Sequence, residues 1–477
     1  MLSGGFKTIS GMPHNFLACD REQPFLLPPD VREWLPENHL AWFVIDAVGV
    51  MNLERFYAAY REDGHGRAAY EPSMMVALLL YCWSRGMRSS RAIERACLED
   101  VACRVIAAHQ RPDHATIARF VERHERALGE LFGEVLALCA DAGLATVGVI
   151  AIDGTKVHAN ASRDRSMDYE ALARTIVEEA VATDAAENAV FGDRRGDELP
   201  ELVASRQGRE GWLREARQRL EQRRAEQTQP VPRSRPRRLL EGKRRLEEEL
   251  VVERDAHAQY EAYRARGVMK NGRRFGRPPN PRTPPTVPEG KVNITDLDSR
   301  LVHGMRGWIQ GYNAQAACNE RHLIVAAEVM TASPDFGHLE PMLTAARTEL
   351  AAACVNDTPD VVVADAGYWH LEQMNEITGS GIPVLIPPDS SRRKSARPGW
   401  TGGAYDFMRR VLQTERGGEL YKQRAQLIEP IFGTTKHNRG FVRFHRRGRS
   451  AVRTEWRLMA TTHNLRKLHQ HFNQPTE

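Results

Sequence analysis

The chain has 477 residues, 42% hydrophobic and 27% charged, the balance of a soluble globular protein with two or three domains. No apolar run approaches the ~18 residues that would signal a membrane-spanning helix. The start, Met1-Leu-Ser-Gly-Gly-Phe-Lys, lacks the apolar stretch of a secretion signal. Seven cysteines, an odd count with no C-x-x-C pair, point to a reducing cytoplasm and away from a disulfide framework or a zinc ribbon. The net charge of +5 is uneven. Residues 391–477 hold 19 Lys/Arg against 6 Asp/Glu, which is +13 there and −8 elsewhere. A basic stretch of that size favours a polyanion such as nucleic acid. An exposed charged face that meets only water is the alternative.

Residues 1–70 read as an arm with short helices. Leu26-Leu27-Pro28-Pro29-Asp30 stops one element and starts another, and Leu40, Phe43, Val44 and Val48 recur at helical spacing. Residues 71–145 read as helical. Pro72-Ser73 opens a helix with Met75, Leu78, Leu79 and Cys82 on one face, and Gly86 ends it. Ser89 or Ser90 caps a second helix, with Ile93 and Cys97 inward. Pro112-Asp113-His114-Ala115-Thr116 is a turn with cap chemistry. A third helix follows with Ile117, Phe120, Leu128, Leu131, Val135 and Leu138. Arg88, Arg91, Arg95, Arg119 and Arg123 fall on positions expected to be exposed. Three helices with tight turns and those arginines make either a DNA-binding module or a bundle that binds nothing.

The period changes at Val147. Val147-Gly-Val-Ile-Ala-Ile-Asp153-Gly154 predicts a buried central strand with a carboxylate at its C-terminal tip, within a segment 146–163. Residues 164–265 are rich in Glu, Arg, Ala and Gln, with a thin stripe of Leu213, Leu220, Leu239, Leu246 and Leu250. They predict long exposed helices forming a coiled-coil hairpin broken near Pro230, Pro232 and Pro236. Residues 266–291, with six prolines at 278, 279, 281, 284, 285 and 288, predict a basic, extended, disordered linker.

Strand patterns return over 292–445. Gly307–Ala316 and His322–Met330 predict a hairpin turning near Asn319-Glu320-Arg321. A helix over 337–352 follows, then Asp360-Val-Val-Val-Ala-Asp365-Ala-Gly, a second apolar strand ending in Asp, then a fifth strand at Ile382-Pro-Val-Leu-Ile. Residues 421–436 read as mainly helical, with Pro430 marking a kink or a start. A basic segment, 446–477, closes the chain. The whole reads as α/β, with a mixed sheet, an all-α N-terminal region and a long helical insert after the first core strand.

The strand ends suggest chemistry. Aspartates at the tips of two adjacent apolar strands can share a divalent cation, and a carboxylate from a nearby helix completes the set. Oxygen-only ligands suit Mg²⁺ or Mn²⁺, and two such ions clamp both oxygens of an in-line phosphoryl transfer. Asp153, Asp365 and Glu429 are the candidates. Asp before Gly is often only a turn former, and Glu429 could simply pair with Arg424 or Lys436. Asp296 and Asp298 are rivals for the second position, ranked lower because no long apolar run precedes them. His158, His437, His445 and His463 lack metal-ligand spacing. Trp308 and Tyr312 read as core or sheet-surface residues. Arg392, Arg393, Lys394 and Arg397 form the best phosphate-binding patch.

In order along the chain, several motifs resemble a DDE transposase of a bacterial insertion sequence, with a ribonuclease-H-like catalytic core. They are Gly86-Met-Arg-Ser-Ser-Arg91, Pro112-Asp-His-Ala-Thr-Ile-Ala-Arg-Phe120, Ile152-Asp153-Gly-Thr-Lys-Val-His158, Gly311-Tyr-Asn-Ala-Gln-Ala316, Ala364-Asp365-Ala-Gly-Tyr368, Tyr421-x-x-Arg424-x4-Glu429-Pro-x-Phe-Gly-x-x-Lys436, and the tail from Trp456 to Leu468. The resemblance implies Asp153, Asp365 and Glu429 as catalytic metal ligands, holding Mg²⁺ or Mn²⁺, two per site. It implies that Tyr421, Arg424 and Lys436 contact the DNA end, with Arg119 and Arg123 as further DNA contacts from the helical region. It implies double-stranded DNA as partner, both as terminal inverted repeats and as target, and a homodimer in the synaptic complex. No membrane and no small-molecule substrate are expected, in a bacterial, nucleoid-associated cytoplasmic protein. A nuclease of the same fold that cuts without joining, and an inactive DNA-binding relic, are the rival readings.

Overall fold

The computed structural model describes residues 33–60, 69–183, 232–266, 286–288, 290–304, 307–389 and 400–474, with short stretches between 216 and 224 and at 269–270 and 273–274. Its axis is strand β1, Val149–His158. Ile150, Ala151 and Ile152 are fully buried, so this run requires a neighbour on each edge. One is β9, Val361–Ala364, an all-apolar strand that pairs with β1 in parallel. The other is β7, Gly307–Cys318, which pairs antiparallel along residues 151–158 of β1. Beyond β9 lies β10, Val384–Leu385. The far edge of β7 is shared by β6, Arg300–Gly304, and β8, Ile324–Met330. This gives a six-stranded mixed sheet. The expected hairpin is β7–β8, with Asn319 Oδ1 accepting from the Arg321 and Leu323 amides in the turn. The expected fifth strand is only two residues long, since Pro383 and Pro387 flank it and cannot donate to a ladder.

Seven helices precede the sheet among the described residues: α1, Leu40–Val50; α2, Glu54–Tyr57; α3, Pro72–Ser84; α4, Ser90–Glu99; α5, Val101–Ile106; α6, His114–Arg123; and α7, Glu125–Asp141. Gly86 stops α3 at φ +82°, where a Cβ would also meet the Arg439 carbonyl oxygen at 3.0 Å. Ser89 takes the cap position of α4, but its side chain makes no cap hydrogen bond. The predicted third helix is two helices. His124 breaks it, with φ −103° and ψ 23°, while its ring packs on Phe56 and Phe120. The short α5 has no periodic signature; Asp100 starts it by accepting from the Cys103 amide at 2.9 Å. The Asp113 cap of α6 forms as expected, accepting from Thr116 N at 2.6 Å.

The insert begins with β2, Ser166–Asp168, and α8, Tyr169–Thr183, and resumes with α9, Arg235–Arg266. The two-residue strands β3, Met269–Lys270, and β4, Arg273–Arg274, pair with each other. Strand β5, Lys291–Asn293, pairs with β2. The insert's leucine stripe does not simply zip one helix to another. Leu239 and Leu246 pack with Leu172 of α8 and with Val292, Ile294 and Leu297, a small separate core. Pro236 stands in the first turn of α9, where its missing N–H costs little. Leu213, Pro230 and most of the proline-rich 266–291 stretch lie outside the described residues.

After β8 come α10, Leu339–Ala352; α11, Leu371–Gly379; α12, Gly403–Gln413; α13, Glu415–Gly433; and α14, Arg449–Phe472. The closing basic segment is not a free tail. Helix α14 is buried along most of its length, and one continuous core joins it to α1, α3–α7 and the sheet. Its arginines face carboxylates. Arg453 pairs with Glu328 at 2.5 Å. Buried Arg457 pairs with Glu349 at 2.6 Å, donates to the Gly129 carbonyl at 2.7 Å and lies 4.9 Å over the Phe132 ring. Part of the +13 is therefore matched inside the protein. No helix among the described residues is long and apolar enough to cross a membrane, and the six described cysteines are free.

Truncating Arg457 strands the half-buried Glu349 carboxylate and the Gly129 carbonyl, so Arg457→Ala should lower the unfolding free energy by about 3 kcal/mol. Urea denaturation of the two proteins checks this; a change below ~1 kcal/mol would contradict the role given to the pair.

Candidate active site

Strand register builds the site. The parallel β1–β9 ladder ends with the pair Ile152 and Ala364. The next residue on each strand is an aspartate, so Asp153 and Asp365 emerge side by side. Asp365 does end its strand: its side chain accepts from Gly367 N at 2.8 Å and caps a 3₁₀ turn, Ala366–Tyr368. Asp153 does not sit at a tip. β1 runs on for five residues, still paired to β7, with Asp153 opposite Ala316. Asp153 loses only its β9 neighbour, which opens one side of a strand otherwise held in place.

Helix α13 supplies the third side. Thr414 caps it by accepting from Gly417 N at 3.1 Å. The helix neither starts nor stops at Pro430; it continues to Gly433 and passes into a π-turn, Thr434–Asn438. Arg424 donates to Asp153 Oδ2 at 2.9 Å, and its other nitrogen lies 3.8 Å from Glu429 Oε1. The Glu429 side chain is 63% exposed, whereas that of Asp153 is 18% exposed. The Tyr421 ring lies 6.0 Å from the Arg424 guanidinium carbon. Lys436 does not reach Glu429; it donates to the Lys156 carbonyl at 3.0 Å.

Electrostatics follow from this packing. Burial, then the facing Asp365, pushes the Asp153 carboxyl up to about 7 against the pull of Arg424. Burial, then Asp335, raises Asp365. Burial lowers the Lys436 ammonium, and Lys156 lowers it further. Two carboxylates that resist ionising together mark a place short of positive charge. The Arg424 guanidinium answers part of that demand from the side.

The donor chemistry suits a hard cation. All the carboxylates offer oxygen, and Mg²⁺ is commonly held by one or two carboxylates plus substrate phosphates. Asp153 and Asp365 fit that requirement. Among the described residues no three His, Cys, Asp or Glu side chains converge as a complete metal cage; Arg424 bridges the space between Asp153 and Glu429.

Other expected residues fall elsewhere. Asp296 is fully buried, accepting from Tyr312 Oη at 2.8 Å and Gly448 N at 3.1 Å, while Asp298 pairs with Arg245 at 2.5 Å. Asp296 ties β7 to the start of α14, and Asp298 ties α9 to it. His463 is buried against the His322 carbonyl at 2.9 Å, and the His158 backbone bridges to residues 442 and 444. Trp308 is 59% exposed on the sheet surface, and Tyr312 is core. Arg119 and Arg123 are exposed on α6, the first reaching Thr116 Oγ1 at 3.1 Å and the second 5.3 Å over the Tyr60 ring. Arg88, by contrast, caps carbonyls of residues 440 and 443 and lies 4.2 Å over Phe441. Arg392, Arg393, Lys394 and Arg397 lie outside the described residues.

Four site residues escaped the sequence reading as chemistry: Lys156, Asn313, Gln315 and Asp335. The first three lie within motifs quoted above, and strand alternation places Lys156 opposite Asn313 and Gly154 opposite Gln315. Asp335 carries no local signal.

Two family models match the chain. A Transposase domain (DUF772) covers residues 29–123, and a Transposase DDE domain covers residues 289–465, including Asp365, Arg424 and Glu429. No curated protein and no solved structure matches it. Both matches define a DNA transposase. The chain belongs to the DDE transposases of insertion sequences.

The raised Asp153 carboxyl sets a pH test. Unfolded aspartate ionises near 3.9, so the folded, cation-free protein bears a cost that grows from about pH 4 and is complete above about pH 7. Asp153→Asn should therefore raise the melting temperature in EDTA at pH 8, by a few kcal/mol of stability, with the gap closing as pH falls toward 4. A gap that widens on acidification would contradict it.

Proposed function

We propose that this transposase cuts DNA at the ends of its element and joins the freed 3′-hydroxyl to target DNA, with Asp153, Asp365 and Glu429 as the carboxylates that hold divalent metal. The observation that carries the reading is the β1–β9 register, which sets Asp153 and Asp365 next to each other beneath Arg424 of α13. A mixed sheet of this order, flanked by helices, is compatible with a ribonuclease-H-like core.

Each residue has a task in that chemistry. Asp153 and Asp365 hold Mg²⁺ or Mn²⁺, two ions in the full site, and Glu429 closes the set from α13. Divalent metal supplies an activated water and stabilises both oxygens of an in-line displacement. Arg424 holds Asp153 in place and offsets carboxylate repulsion. Tyr421 and Lys436 lie beside the DNA end; burial of Lys436 leaves its ammonium eager for a phosphate. Arg119 and Arg123, with Arg392, Arg393 and Lys394, contact the duplex backbone, where each neutralised phosphate adds affinity that salt removes. Two ends held together require a homodimer.

The experiment is Mg²⁺-dependent cleavage of a labelled duplex carrying the element's own ends. Ala at Asp153, Asp365 or Glu429 should cut the rate by roughly a thousandfold or more while duplex binding persists. Cleavage that survives any of these changes sinks the assignment for that residue. Strand transfer from pre-cut 3′-hydroxyl ends then separates a transposase from a nuclease that only cuts.

Glu429 is the most exposed of the three, and Arg424 stands between it and Asp153. Replacing Arg424 with Gln should lower cleavage by about tenfold to a hundredfold and leave Asp153 without its counter-charge. Single-turnover rates on pre-bound DNA check this; an unchanged rate would place Arg424 outside the chemistry.

A further inference from the structure

The glycine that follows Asp153 is explained by side chains from other parts of the chain. Gly154 follows Asp153. A Cβ on it would lie 2.6 Å from Asp335 Oδ1 and 2.7 Å from Asn313 Oδ1, and would also strike Gln315 Nε2. Gly367 lies two residues beyond Asp365. A Cβ there would lie 2.9 Å from Asp365 Oδ1 and 3.6 Å from Asp335 Oδ2. Asp335 comes from the turn between β8 and α10. It stands between the two glycines, with Oδ1 toward Gly154 and Oδ2 toward Gly367.

Its two oxygens are not equivalent. Oδ1 accepts from Lys156 Nζ at 3.0 Å, from Asn313 Nδ2 at 2.8 Å and from Gln315 Nε2 at 2.8 Å. Gln315 is held in turn by the Tyr368 hydroxyl. Three donors on one oxygen fix the plane of the carboxylate. Oδ2 has no donor among the described residues and lies on the Gly367 side, where Asp365 Oδ1 also stands. Asn313 is fully buried, and its own Oδ1 has no hydrogen-bond partner there. That open amide oxygen lies beside Gly154, on the Oδ1 side of Asp335. A lone ion pair between Lys156 and Asp335 needs none of this. A carboxylate gripped at one oxygen, with the other presented at a set place, has the form of an oriented cation ligand.

We propose that Asp335 is a fourth carboxylate of the cation site, with Oδ2 facing the ion held by Asp153 and Asp365, and with Lys156, Asn313 and Gln315 as its positioning residues. The inference rests on the reading of Asp153 and Asp365 as metal ligands.

The test is Mn²⁺ binding to the full chain without DNA, followed by the loss of free-ion electron paramagnetic resonance signal, with folding checked by circular dichroism. Wild type is compared with Asp153→Asn, Asp335→Asn and Lys156→Gln. Asp335→Asn should weaken Mn²⁺ binding by about tenfold to a hundredfold. Lys156→Gln should tighten it several-fold, because it removes a positive charge and leaves Asp335 held by two amides. A merely structural bridge would lower the melting temperature in both variants and leave Mn²⁺ affinity unmoved. If Asp153→Asn weakens binding while Asp335→Asn and Lys156→Gln do not change it, the inference falls and the assignment of Asp153 stands. If Asp153→Asn has no effect, both fall. Should Asp335→Asn fail to fold, the charge-conserving Asp335→Glu decides: Mn²⁺ affinity lowered several-fold supports the inference, and wild-type affinity overturns it.

Discussion

The constraint on which the site depends is the placement of like charges at the end of a buried parallel ladder. Two carboxyls that follow Ile152 and Ala364 in register cannot move apart without breaking strand pairing. In a poorly hydrated setting their repulsion is strong. The surrounding structure answers with cations that approach from other segments. Arg424 descends from α13 onto Asp153, and Lys156 rises from β1 itself to Asp335. Arginine suits the first place because its planar fork reaches two carboxylates at once, which an ammonium cannot do with the same geometry. Such a site is poised rather than satisfied: it keeps its fold because neighbours share the charge.

The same logic governs the basic C-terminal portion. A charge of +13 over residues 391–477 suggests a polyanion, yet α14 is mostly interior and its arginines meet Glu328 and Glu349. Buried arginines of this kind lock the angle between α7, α14 and β8, which carries β7 and hence Gln315 and Asn313. Charge that faces DNA must then come from residues on other surfaces, of which Arg119 and Arg123 of α6 are exposed. Net charge alone cannot separate these roles, because an arginine's partner is set by tertiary packing rather than by its neighbours in sequence.

What the sequence revealed followed the same division. Apolar runs exposed β1, β7, β8 and β9, since a strand buried on both faces has no polar alternation to hide it. The two aspartates were legible because each interrupts such a run. Pro430 left a kink or a start open, and the start is excluded, since a proline in a helix with tertiary support loses one hydrogen bond without ending the helix. The break at His124 was invisible because apolar spacing continues across it, and the ring's packing on Phe56 and Phe120 is a long-range fact. Asp335 was invisible for a stronger reason. Its meaning lies in donors from β1 and β7 and in two glycines from β1 and the turn after β9, none of which is its sequence neighbour. Gly154, read first with Asp153 as a turn former, is glycine because the side chains of Gln315, Asp335 and Asn313 fill the space of a Cβ.

The insert poses the remaining physical question, since β1 finds its partner β7 only after about 150 residues of intervening chain. Closure entropy grows only with the logarithm of loop length, so this costs about 3 kcal/mol more than a short hairpin loop. That is small enough for the insert to offset with its own contacts. Strand β2 pairs with β5, and Leu172, Leu239 and Leu246 close over Val292, Ile294 and Leu297 directly before β6. Arg300, the first residue of β6, is joined to Glu221 at 2.9 Å and to Glu249 at 3.3 Å, and Arg224 to Glu249 at 3.2 Å. Burial alone would raise the Glu221 carboxyl, but Arg300 and Arg224 hold it down to about 2. An insert that folds onto the foot of β5 and β6 brings the two ends of the long connection together. The sheet then needs to align only β7 with β1, and that single pairing sets Gly154 against Gln315 and completes the polar face beside Asp153.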